Sequence, residues 1–497
     1  MDPAEVATIT TDALLPRNYP GIYYLSVEIN ALDSINPADI NKPNDRLVSS
    51  TTARINLQPT NSPYTYHISQ TPNSGFASEY SEFPTISGDG SRVAFVSMAS
   101  DLVAGDSNGL SDIFVRDRNT NTTVLVSKNS TGELANRDSF SPAISANGVY
   151  VAYTSTASNL VDGDSSGFRD VFVHNVDTSE TVRISKRLFR QDDVLYVLDA
   201  DGSSFAPSIS EDGRFVAFAS FAKNLDDSYI GQFPSGGVGV SYVYLHDRCV
   251  DGDFNRLDEP ENVKTYLVST TSDGRLPNTS SSSPSISLDG HWVAFQSRAS
   301  NLLDGLQDNI FSQIYRRQLI SFADATEKTT LAKSPHDFHS SIEILSIDAD
   351  GNPGSNDSYN PSVNGNGDHI AFVSEATHFD ERMNDTNGVP DVFVHSYYDL
   401  DQDPLGIKET SQIRRLSISS GGNEAIDEDG DGNTAAGSLM PSIDRSGRYV
   451  AFRSHADNIT HIPQLINGFS DVFLHDRDFD GNGTFDEVLV SGVRTEV

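Results

Sequence analysis

The feature that most constrains this chain is a repeat, which is clearest in residues 81–127. Three apolar runs in this segment are rich in Val, Ile and Phe and are bounded by Gly, Asp and Asn, a pattern that predicts strands. A shorter run around Ile86 precedes them. Four short strands in series, repeated along the chain, predict an all-β propeller whose blades are four-stranded antiparallel sheets.

Six copies of the unit are anchored by a proline that precedes the inner strand. These prolines are Pro84, Pro142, Pro207, Pro284, Pro361 and Pro441. A turn of the Asp-Gly type and a strand similar to Val93-Ala94-Phe95 follow each of them. Asp-Gly supplies the positive φ values of a tight hairpin, so the turn is expected to pair the first strand with the second.

The number of blades depends on the first 80 residues, which are less regular than the rest. Residues 54–69 align without a gap on residues 112–127, and short apolar runs precede them. We therefore favour seven blades, the first degenerate, with six blades as the alternative. The predicted segments of this single domain are 1–80 (degenerate blade or closing segment), 81–138, 139–202, 203–280, 281–357, 358–437 and 438–497.

The repeat also resembles a known group of propellers. The pattern P-S-I-S, D-G-R, V-A-F and S, with N-L-V-D-G-D before D-V-F-V-H, resembles the WD-like repeats of the TolB-type superfamily. The resemblance covers residues 81–497 in six copies and implies the propeller fold. It implies no single activity, because that superfamily includes periplasmic scaffolds, peptidase-associated propellers and lyases.

The net charge of the chain indicates which classes of partner it is not expected to bind. With 70 acidic against 34 basic residues, the net charge is −36. Nucleic acids and anionic membrane surfaces favour basic partners, so neither is expected to bind. No apolar stretch approaches the ~20 residues that span a bilayer, which predicts no membrane insertion.

The cysteine content and the first residues of the chain help to predict its cellular compartment. The single cysteine, Cys249, excludes intrachain disulfides. The beginning of the chain lacks the basic and apolar regions of a signal peptide, which is compatible with a cleaved export signal or, as the alternative, with a cytoplasmic protein. Because calcium serves many exported bacterial proteins in place of disulfides, we expect a monomeric, secreted, cell-surface or periplasmic protein whose export signal is absent from this chain.

One acidic loop has the spacing of a calcium site. Its oxygen-bearing side chains are Asp478, Asp480, Asn482, Thr484 and Asp486, with Gly483 at the sixth position. Alternate oxygen ligands and a glycine at this place wrap a loop around Ca²⁺. The loop resembles the calcium hairpins of integrin-type propellers. Leu489 at the twelfth position departs from an EF-hand, and a plain Asp/Asn/Gly turn is the alternative.

Four further loops repeat part of this spacing. Their candidate ligands are Asp251, Asp253 and Asn255; Asp348, Asp350 and Asn352; Asp399, Asp401 and Asp403; and Asp427, Asp429 and Asp431. Arg256 and Pro404 stand where two of these loops would need the turning glycine. Several Ca²⁺ ions that stabilise the propeller are expected, with solvated acidic turns as the alternative.

Repeated polar residues are interpreted as structural. The loops before the third strand carry Asp-x-Asn/Ser-Gly-x-x-Asp, at residues 106–112, 164–170 and 385–391. We favour Asx-turn hydrogen bonds for them, with cation binding as the alternative. Four histidines occupy one equivalent position at the end of the third strand. They are His174, His246, His395 and His475.

Catalytic candidates are sought where the copies differ. In the fourth complete blade Arg316 and Arg317 replace a His-Asp pair, and an insert carries His336 and His339. The third blade contributes Tyr242 and follows an insert at residues 187–196. Propeller polysaccharide lyases use His, Tyr and Arg, which makes these residues candidates. Ordinary surface variation is the alternative.

Three functions follow from this pattern. The leading one is a calcium-stabilised propeller that binds a protein or glycan without chemistry of its own. The second is a polysaccharide-active, lyase-like enzyme with a site at the central channel or a loop-built cleft. The third is a structural module of a larger adhesin.

Overall fold

The computed structural model describes residues 67–486 except 193, 234–238, 251, 307–309, 320–341, 381–384, 398–411, 420–423, 426–436, 457, 460–469 and 479–484. The chain divides into two compact units, Met1–His67 and Ile68–Val497. Every strand reported below belongs to the second unit.

In the described residues the second unit is a β-propeller of six antiparallel blades, each formed by consecutive strands, with one additional two-stranded hairpin. Blade 1 is β1 (Ser81–Ile86), β2 (Arg92–Ser97), β3 (Asp112–Asp117) and β4 (Thr122–Leu125). Blade 2 is β5 (Ser139–Ile144), β6 (Tyr150–Ser155), β7 (Asp170–Asn175) and β8 (Thr181–Arg183). A separate hairpin follows, β9 (Lys186–Gln191) and β10 (Val194–Asp199).

The remaining blades continue the same order. Blade 3 is β11 (Ser204–Ile209), β12 (Phe215–Ser220), β13 (Tyr242–Asp247) and β14 (Lys264–Leu267). Blade 4 is β15 (Ser281–Ile286), β16 (Trp292–Ser297), β17 (Gln313–Gln318) and β18 (Ile342–Ile344). Blade 5 is β19 (Ser358–Val363), β20 (His369–Ser374), β21 (Asp391–Ser396) and β22 (Gln412–Arg415). The described strands of blade 6 are β23 (Ser438–Ile443), β24 (Tyr449–Ser454) and β25 (Asp471–Asp476).

The preference for seven blades is wrong, and the alternative of six matches the structure. Residues 1–66, most of the predicted degenerate blade, lie outside the described residues. The described remainder of that segment forms a bridge between Gln70 and Phe76. Equivalent bridges occur in the links that follow blades 1, 4 and 5, so residues 67–80 form a link to a blade and contribute no strand of their own.

Each inner strand contains a bulge at its repeat proline. The residue before that proline has a φ between 49° and 55° in all six copies, and the register with the second strand shifts there. Proline has no N–H to donate and is therefore tolerated at a bulge. The prolines that anchor the sequence repeat thus mark the position where the inner strand bends.

Serine pairs join the first strand to the second in every blade. In blade 2, Ser139 Oγ lies 3.0 Å from Ser155 Oγ. The same contact, at 2.8–3.1 Å, occurs in the other five blades. Six copies of one buried or half-buried hydrogen bond support a propeller of six equivalent blades.

The hydrophobic core lies between neighbouring sheets. One cluster combines Val243 and Leu245 of blade 3 with Val293 and Phe295 of blade 4. Because both faces of a blade are covered, the second strands are buried almost throughout, as in β6 and β12. This explains why these strands are continuous apolar runs and do not alternate with polar residues.

The turns between first and second strands are linked to one another. Backbone hydrogen bonds of 2.8–3.1 Å run from Gly88 to Ala146, Asn147 to Glu211, Glu211 to Leu288, Asp289 to Gly365, and Gly365 to Arg445. In addition, Arg445 Nη1 of blade 6 lies 2.7 Å from Glu211 Oε1 of blade 3. Blades three places apart are opposite one another in a six-membered ring, so this ion pair spans the axis at one face.

Candidate cation sites and an exposed hairpin

In the predicted calcium loop at 478–486, the two described carboxylates face arginines. Arg477 donates to both oxygens of Asp486, with its Nη2 2.7 Å from Oδ2. Arg448 Nη1 lies 3.7 Å from Asp478 Oδ2. Asp480, Asn482 and Thr484 lie outside the described residues, so calcium in this loop stays a prediction.

The loop after β13 has the same arrangement. Arg248 donates to both oxygens of Asp258 and to the carbonyl of Gly213, and its guanidinium lies 4.5 Å from the centroid of the Tyr150 ring. Asp253 accepts hydrogen bonds from the backbone and side chain of Asn255, and it caps the short 3₁₀ helix Phe254–Arg256. Asp251 lies outside the described residues.

The candidate loop at 348–352 is a polar turn in this structure. Asp348 Oδ1 accepts hydrogen bonds from the backbone N–H groups of Asp350 and Asn352, at 3.0 and 2.8 Å. Asn129 has the same role in the link after blade 1. A cation at Asp348, Asp350 and Asn352 stays a prediction. The candidates Asp399, Asp401, Asp403, Asp427, Asp429 and Asp431 lie outside the described residues.

Arg316 is held between two aromatic rings. Its guanidinium carbon is 4.1 Å from the Trp292 ring centroid and 3.3 Å from that of Tyr397. Glu343 lies 3.0 Å from its Nη2, and the carbonyl of Gly367 accepts from its Nη1. These contacts join blade 4 to blade 5, and they account for the burial of the side chain.

The predicted equivalence of Arg316 and Arg317 with a His-Asp pair is wrong by one residue. Strand register pairs Val293 with Arg317, just as Val216 pairs with His246, so Arg317 alone takes the histidine position. Arg316 therefore corresponds to the preceding apolar residue, and the pair does not replace His-Asp. Arg317 is fully buried and donates to the backbone carbonyl of Thr270, and burial lowers its pKa to about 10.

The remaining catalytic candidates are not brought together in the described part of the chain. Tyr242 is buried at the first position of β13, where its ring meets Phe233 edge to face at 5.1 Å. His336 and His339 lie outside the described residues. A catalytic role for Arg316, Arg317, Tyr242 and the two histidines stays a prediction.

Three of the equivalent histidines, His174, His246 and His395, are buried and lie between the third and fourth strands of their blades, and His475 is partly buried. His174 and His246 each place Nδ1 2.8 Å from the hydroxyl of a threonine on the fourth strand, Thr181 or Thr265. In blade 5 that threonine is replaced by Ile413, and the His395 ring lies 4.7 Å from Tyr397. Burial lowers the pKa of His246 and of His395 to about 3, so both rings are neutral.

The loops before the third strand, predicted to be Asx turns with cation binding as the alternative, form buried carboxylate clusters. In blade 2, Arg183 on the outer strand reaches three acids. Its Nη1 lies 2.9 Å from Asp164 and 3.5 Å from Asp170, and its Nη2 lies 2.7 Å from Asp199. We call these four residues the blade-2 cluster. Burial raises the pKa of Asp170 to about 6 even beside the guanidinium.

Blade 5 repeats the arrangement with a longer third acid. Arg415 Nη1 lies 3.0 Å from Asp391, 3.1 Å from Glu424 and 3.7 Å from Asp385. We call these residues the blade-5 cluster. One oxygen from each acid lies within 4.8 Å of the others. Burial raises the pKa of Glu424, but hydrogen bonds from Thr386, Arg415 and Asn387 outweigh it and lower that pKa to about 2.

Blade 1 has the two aspartates without an arginine. Leu125 of β4 occupies the position of Arg183, and Asp112 accepts from Ser127 Oγ at 2.5 Å and from Asn108 Nδ2 at 2.7 Å. Burial raises the pKa of Asp112 to about 6. The sequence carries a signal for these clusters. At this position of the outer strand an arginine stands only in the repeats of Arg183 and Arg415, and in both repeats the loop before the third strand carries both aspartates.

The β9–β10 hairpin is an addition to the blade pattern. Its register places Val194, Tyr196 and Leu198 on one face with Phe189 and Arg187. Val194, Tyr196 and Leu198 are 50%, 41% and 43% exposed. Phe189 stacks on Tyr196 at 5.1 Å, and Arg187 Nε lies 2.8 Å from Asp227 Oδ1. We call Val194, Tyr196 and Leu198 the hairpin face.

A small cleft lies between blades 2 and 3. It has a volume of about 200 Å³ and is lined by Tyr150, Asn175, Glu180, Arg248, Phe254 and Asp258. Drug-sized ligands occupy clefts of roughly 300–1,000 Å³. Since its main charged groups, Arg248 and Asp258, already pair with each other, the cleft is not assigned a ligand.

Among the described residues, no helix is long and apolar enough to cross a membrane.

No protein-family model matches the chain, and no curated protein matches it in sequence. Solved structures with a similar fold include TolB from Acinetobacter baumannii, at 14% identity and a TM-score of 0.32, covering 68% of this chain and 56% of that chain. A protein described as a TolB from Agrobacterium tumefaciens is 16% identical, with a TM-score of 0.33 over 68% of this chain and 80% of that one.

A third similar structure is the β-propeller domain of the Trilobed protease from Pyrococcus furiosus. It is 12% identical, with a TM-score of 0.40, and the match covers 80% of this chain and 83% of that one. The chain spans little more than half the length of the Acinetobacter protein. The predicted fold class, an all-β propeller of four-stranded antiparallel blades, is confirmed by the sheets of the described residues, with six blades in place of the favoured seven.

Proposed function

We propose that this protein is a binding propeller that holds an extended, acidic and apolar segment of a protein partner on its β9–β10 hairpin. The observation that carries the proposal is the hairpin face itself. Its three large apolar side chains are between 41% and 50% exposed on a hairpin that no blade needs for its own sheet. Clustered exposed apolar residues of this kind mark protein interaction sites.

Strand geometry supports an extended partner. Within the described part of the chain, β9 and β10 pair only with each other, so each has one edge without a strand. Such an edge offers backbone N–H and C=O groups to an added strand, and alternate side chains of that strand then meet the hairpin face. The Arg187–Asp227 ion pair ties the hairpin to blade 3.

Charge supports an acidic partner segment. The sequence of β9, Lys-Arg-Leu-Phe-Arg-Gln, has three basic residues in six positions, whereas the whole chain has 34 in 497. Opposite charge around an apolar contact favours encounter and register. The partner is therefore expected to carry Asp or Glu between its apolar residues.

Calcium stabilisation and export belong to the same proposal. The acidic spacing at Asp478–Asp486 and the single cysteine of a chain with net charge −36 support a protein stabilised by Ca²⁺ outside the cytoplasm. The role of this protein is then that of a monomeric, secreted, surface or periplasmic scaffold without chemistry of its own.

Fluorescence anisotropy tests the binding role. The probe is a labelled twelve-residue peptide of alternating Val and Glu, and the comparison peptide alternates Val and Lys. The full chain should bind the Glu peptide and not the Lys peptide. The triple variant Val194→Ser, Tyr196→Ser, Leu198→Ser should weaken binding at least tenfold, about 1.4 kcal/mol. These side chains are exposed, so folding should be unaffected.

A matched control carries serine at Phe76 and Ile310, which are 84% and 75% exposed but lie far from the hairpin in sequence. It should bind as the wild type does. Equal loss in both variants would contradict a specific role of the hairpin face. Retention on a glycan array without binding of either peptide would overturn the proposal in favour of a glycan ligand.

A further inference from the structure

The blade-5 cluster holds a buried carboxylate whose nearest cationic nitrogen, Arg415 Nη1, lies 3.7 Å away. The Asp385 side chain is 3% exposed, and neither of its oxygens has a hydrogen-bond partner among the described residues. Both oxygens are buried, and one lies within 4.8 Å of oxygens of Asp391 and Glu424. An ionised carboxylate without a partner in such a place is costly unless a cation or proton accompanies it.

The blade-2 cluster shows how the same loop is balanced elsewhere. There Arg183 Nη1 lies 2.9 Å from Asp164, the equivalent of Asp385. In blade 5 the corresponding distance from Arg415 to Asp385 is 3.7 Å, because the same nitrogen lies nearer Asp391 and Glu424. In blade 5 the equivalent arginine therefore leaves Asp385 with a long ion pair and no hydrogen bond among the described residues.

The other two acids of the cluster have lone pairs left for a second cation. Glu424 Oε1 already accepts from Thr386 N, Asn387 N and Arg415, but in the described part of the chain its Oε2 accepts only from Thr386 Oγ1, at 2.7 Å. Each oxygen of Asp391 accepts one bond, from Ser417 Oγ at 2.5 Å and from Arg415 Nη1 at 3.0 Å. These bonds hold both carboxylates in place, and an oxygen that accepts one bond keeps a second lone pair. Three carboxylates against one guanidinium leave the cluster with a formal charge of −2.

We propose that Asp385, Asp391 and Glu424 bind a Ca²⁺ ion in blade 5. An all-oxygen set of carboxylates suits a hard divalent cation, and Ca²⁺ tolerates the irregular geometry of ligands drawn from a loop, a strand and a link. Arg415 remains on the other lone pairs of Asp391 and Glu424. The site takes two ligands from the loop at 385–391, is separate from the five predicted calcium loops, and is independent of the hairpin proposal.

Isothermal titration calorimetry with CaCl₂ tests the site in the full chain after removal of bound metal. Asp385→Asn should bind one Ca²⁺ fewer than the wild type. The matched control is Asp164→Asn, which changes the equivalent residue of blade 2 and should leave the number of Ca²⁺ ions unchanged. Counting sites by difference keeps the result independent of any Ca²⁺ bound at the other loops.

Three results would overturn the proposal. The first is an unchanged Ca²⁺ stoichiometry in Asp385→Asn with a raised Tm in metal-free buffer, which means that Asp385 carries a proton shared with Glu424. The second is an equal loss of one ion in Asp164→Asn. The third is a site that takes Mg²⁺ in preference to Ca²⁺. If Asp385→Asn does not fold, Glu424→Gln is titrated in its place and should also lose one ion.

Discussion

The outer-strand position shared by Leu125, Arg183 and Arg415 decides how a blade accommodates its buried aspartates. An arginine there supplies a guanidinium to two or three carboxylates, as in the blade-2 cluster. Where Leu125 stands, the carboxylate of Asp112 has only neutral donors, Ser127 and Asn108. The same loop is thus an ion-pair cluster in blade 2 and a buried carboxylate with neutral hydrogen-bond donors in blade 1, and burial raises the pKa of the second aspartate to about 6 in both.

Asp112 is predicted to make the protein more stable at mildly acidic pH. Burial raises its pKa from the model-peptide value of 3.8 to about 6, so the folded state takes up a proton more readily than the unfolded state. Its contribution is present at low pH and is lost as the pH rises through 6. From pH 7.5 to pH 5 the wild type should gain about 1.4 kcal/mol relative to Asp112→Asn.

Urea unfolding of both proteins at the two pH values measures this difference. Asp89→Asn is the control, because hydrogen bonds from Ser91 and Ser87 lower the pKa of the exposed Asp89 to about 2. Its folded and unfolded pKa values both lie below pH 5, so its difference from the wild type should stay flat. A flat difference for Asp112→Asn as well would contradict the raised pKa.

At the scale of the elements, the glycine of the turn between the first and second strands is required for two reasons. Its φ is positive, and the neighbouring blade packs against it. The aromatic residue that begins one second strand lies over the turn glycine of the next blade. A Cβ at Gly213 would lie 2.2 Å from the Tyr150 ring, and one at Gly290 would lie 2.5 Å from the Phe215 ring. Glycine is therefore required for packing as well as for its positive φ.

Gly290→Ala is predicted to destabilise the protein more than Gly305→Ala. Both glycines have positive φ, 74° and 91°, but no atom lies within 4 Å of a Cβ built at Gly305. Backbone strain alone should cost about 1 kcal/mol, and the clash with Phe215 should add roughly 1–3 kcal/mol. Chemical denaturation would measure both, and equal losses would show that the aromatic contact is unimportant.

The sequence predicted the elements better than it predicted the site. Asp-Gly turns and Val-Ala-Phe strands are local signals, so second and third strands were found in all six blades. The blade-2 cluster was missed because Asp164, Arg183 and Asp199 come from three segments that only the fold brings together. The insert at 187–196 was noticed, but the exposure of the hairpin face depends on what the blades leave uncovered.

For the whole molecule, the ring of turns is held by backbone hydrogen bonds, and the axial Arg445–Glu211 pair adds a surface contact. These two side chains are 64% and 40% exposed. Exposed ion pairs contribute little because water and salt screen them. Arg248 is buried and donates hydrogen bonds to Asp258 and Gly213, so it is expected to contribute more to the free energy of unfolding than Arg445 does.

Arg445→Ala should therefore lower the free energy of unfolding by less than about 1 kcal/mol. Arg248→Ala should lower it by about 3–5 kcal/mol, because the carboxylate of Asp258 loses its buried partner. Thermal and urea unfolding would give both values. A large loss in Arg445→Ala would mean that the axial pair, and not the backbone ring, holds blades 3 and 6 in place.

We propose that six similar blades form a scaffold and that the partner binds where the chain departs from them, on the β9–β10 hairpin. Hydrogen exchange of the full chain, with and without the saturating Val-Glu peptide, distinguishes this site from the rest of the propeller. We expect slower exchange at residues 186–199 and unchanged exchange at the turns between first and second strands. Protection of those turns or of the cleft at Arg248, with the hairpin unchanged, would contradict it.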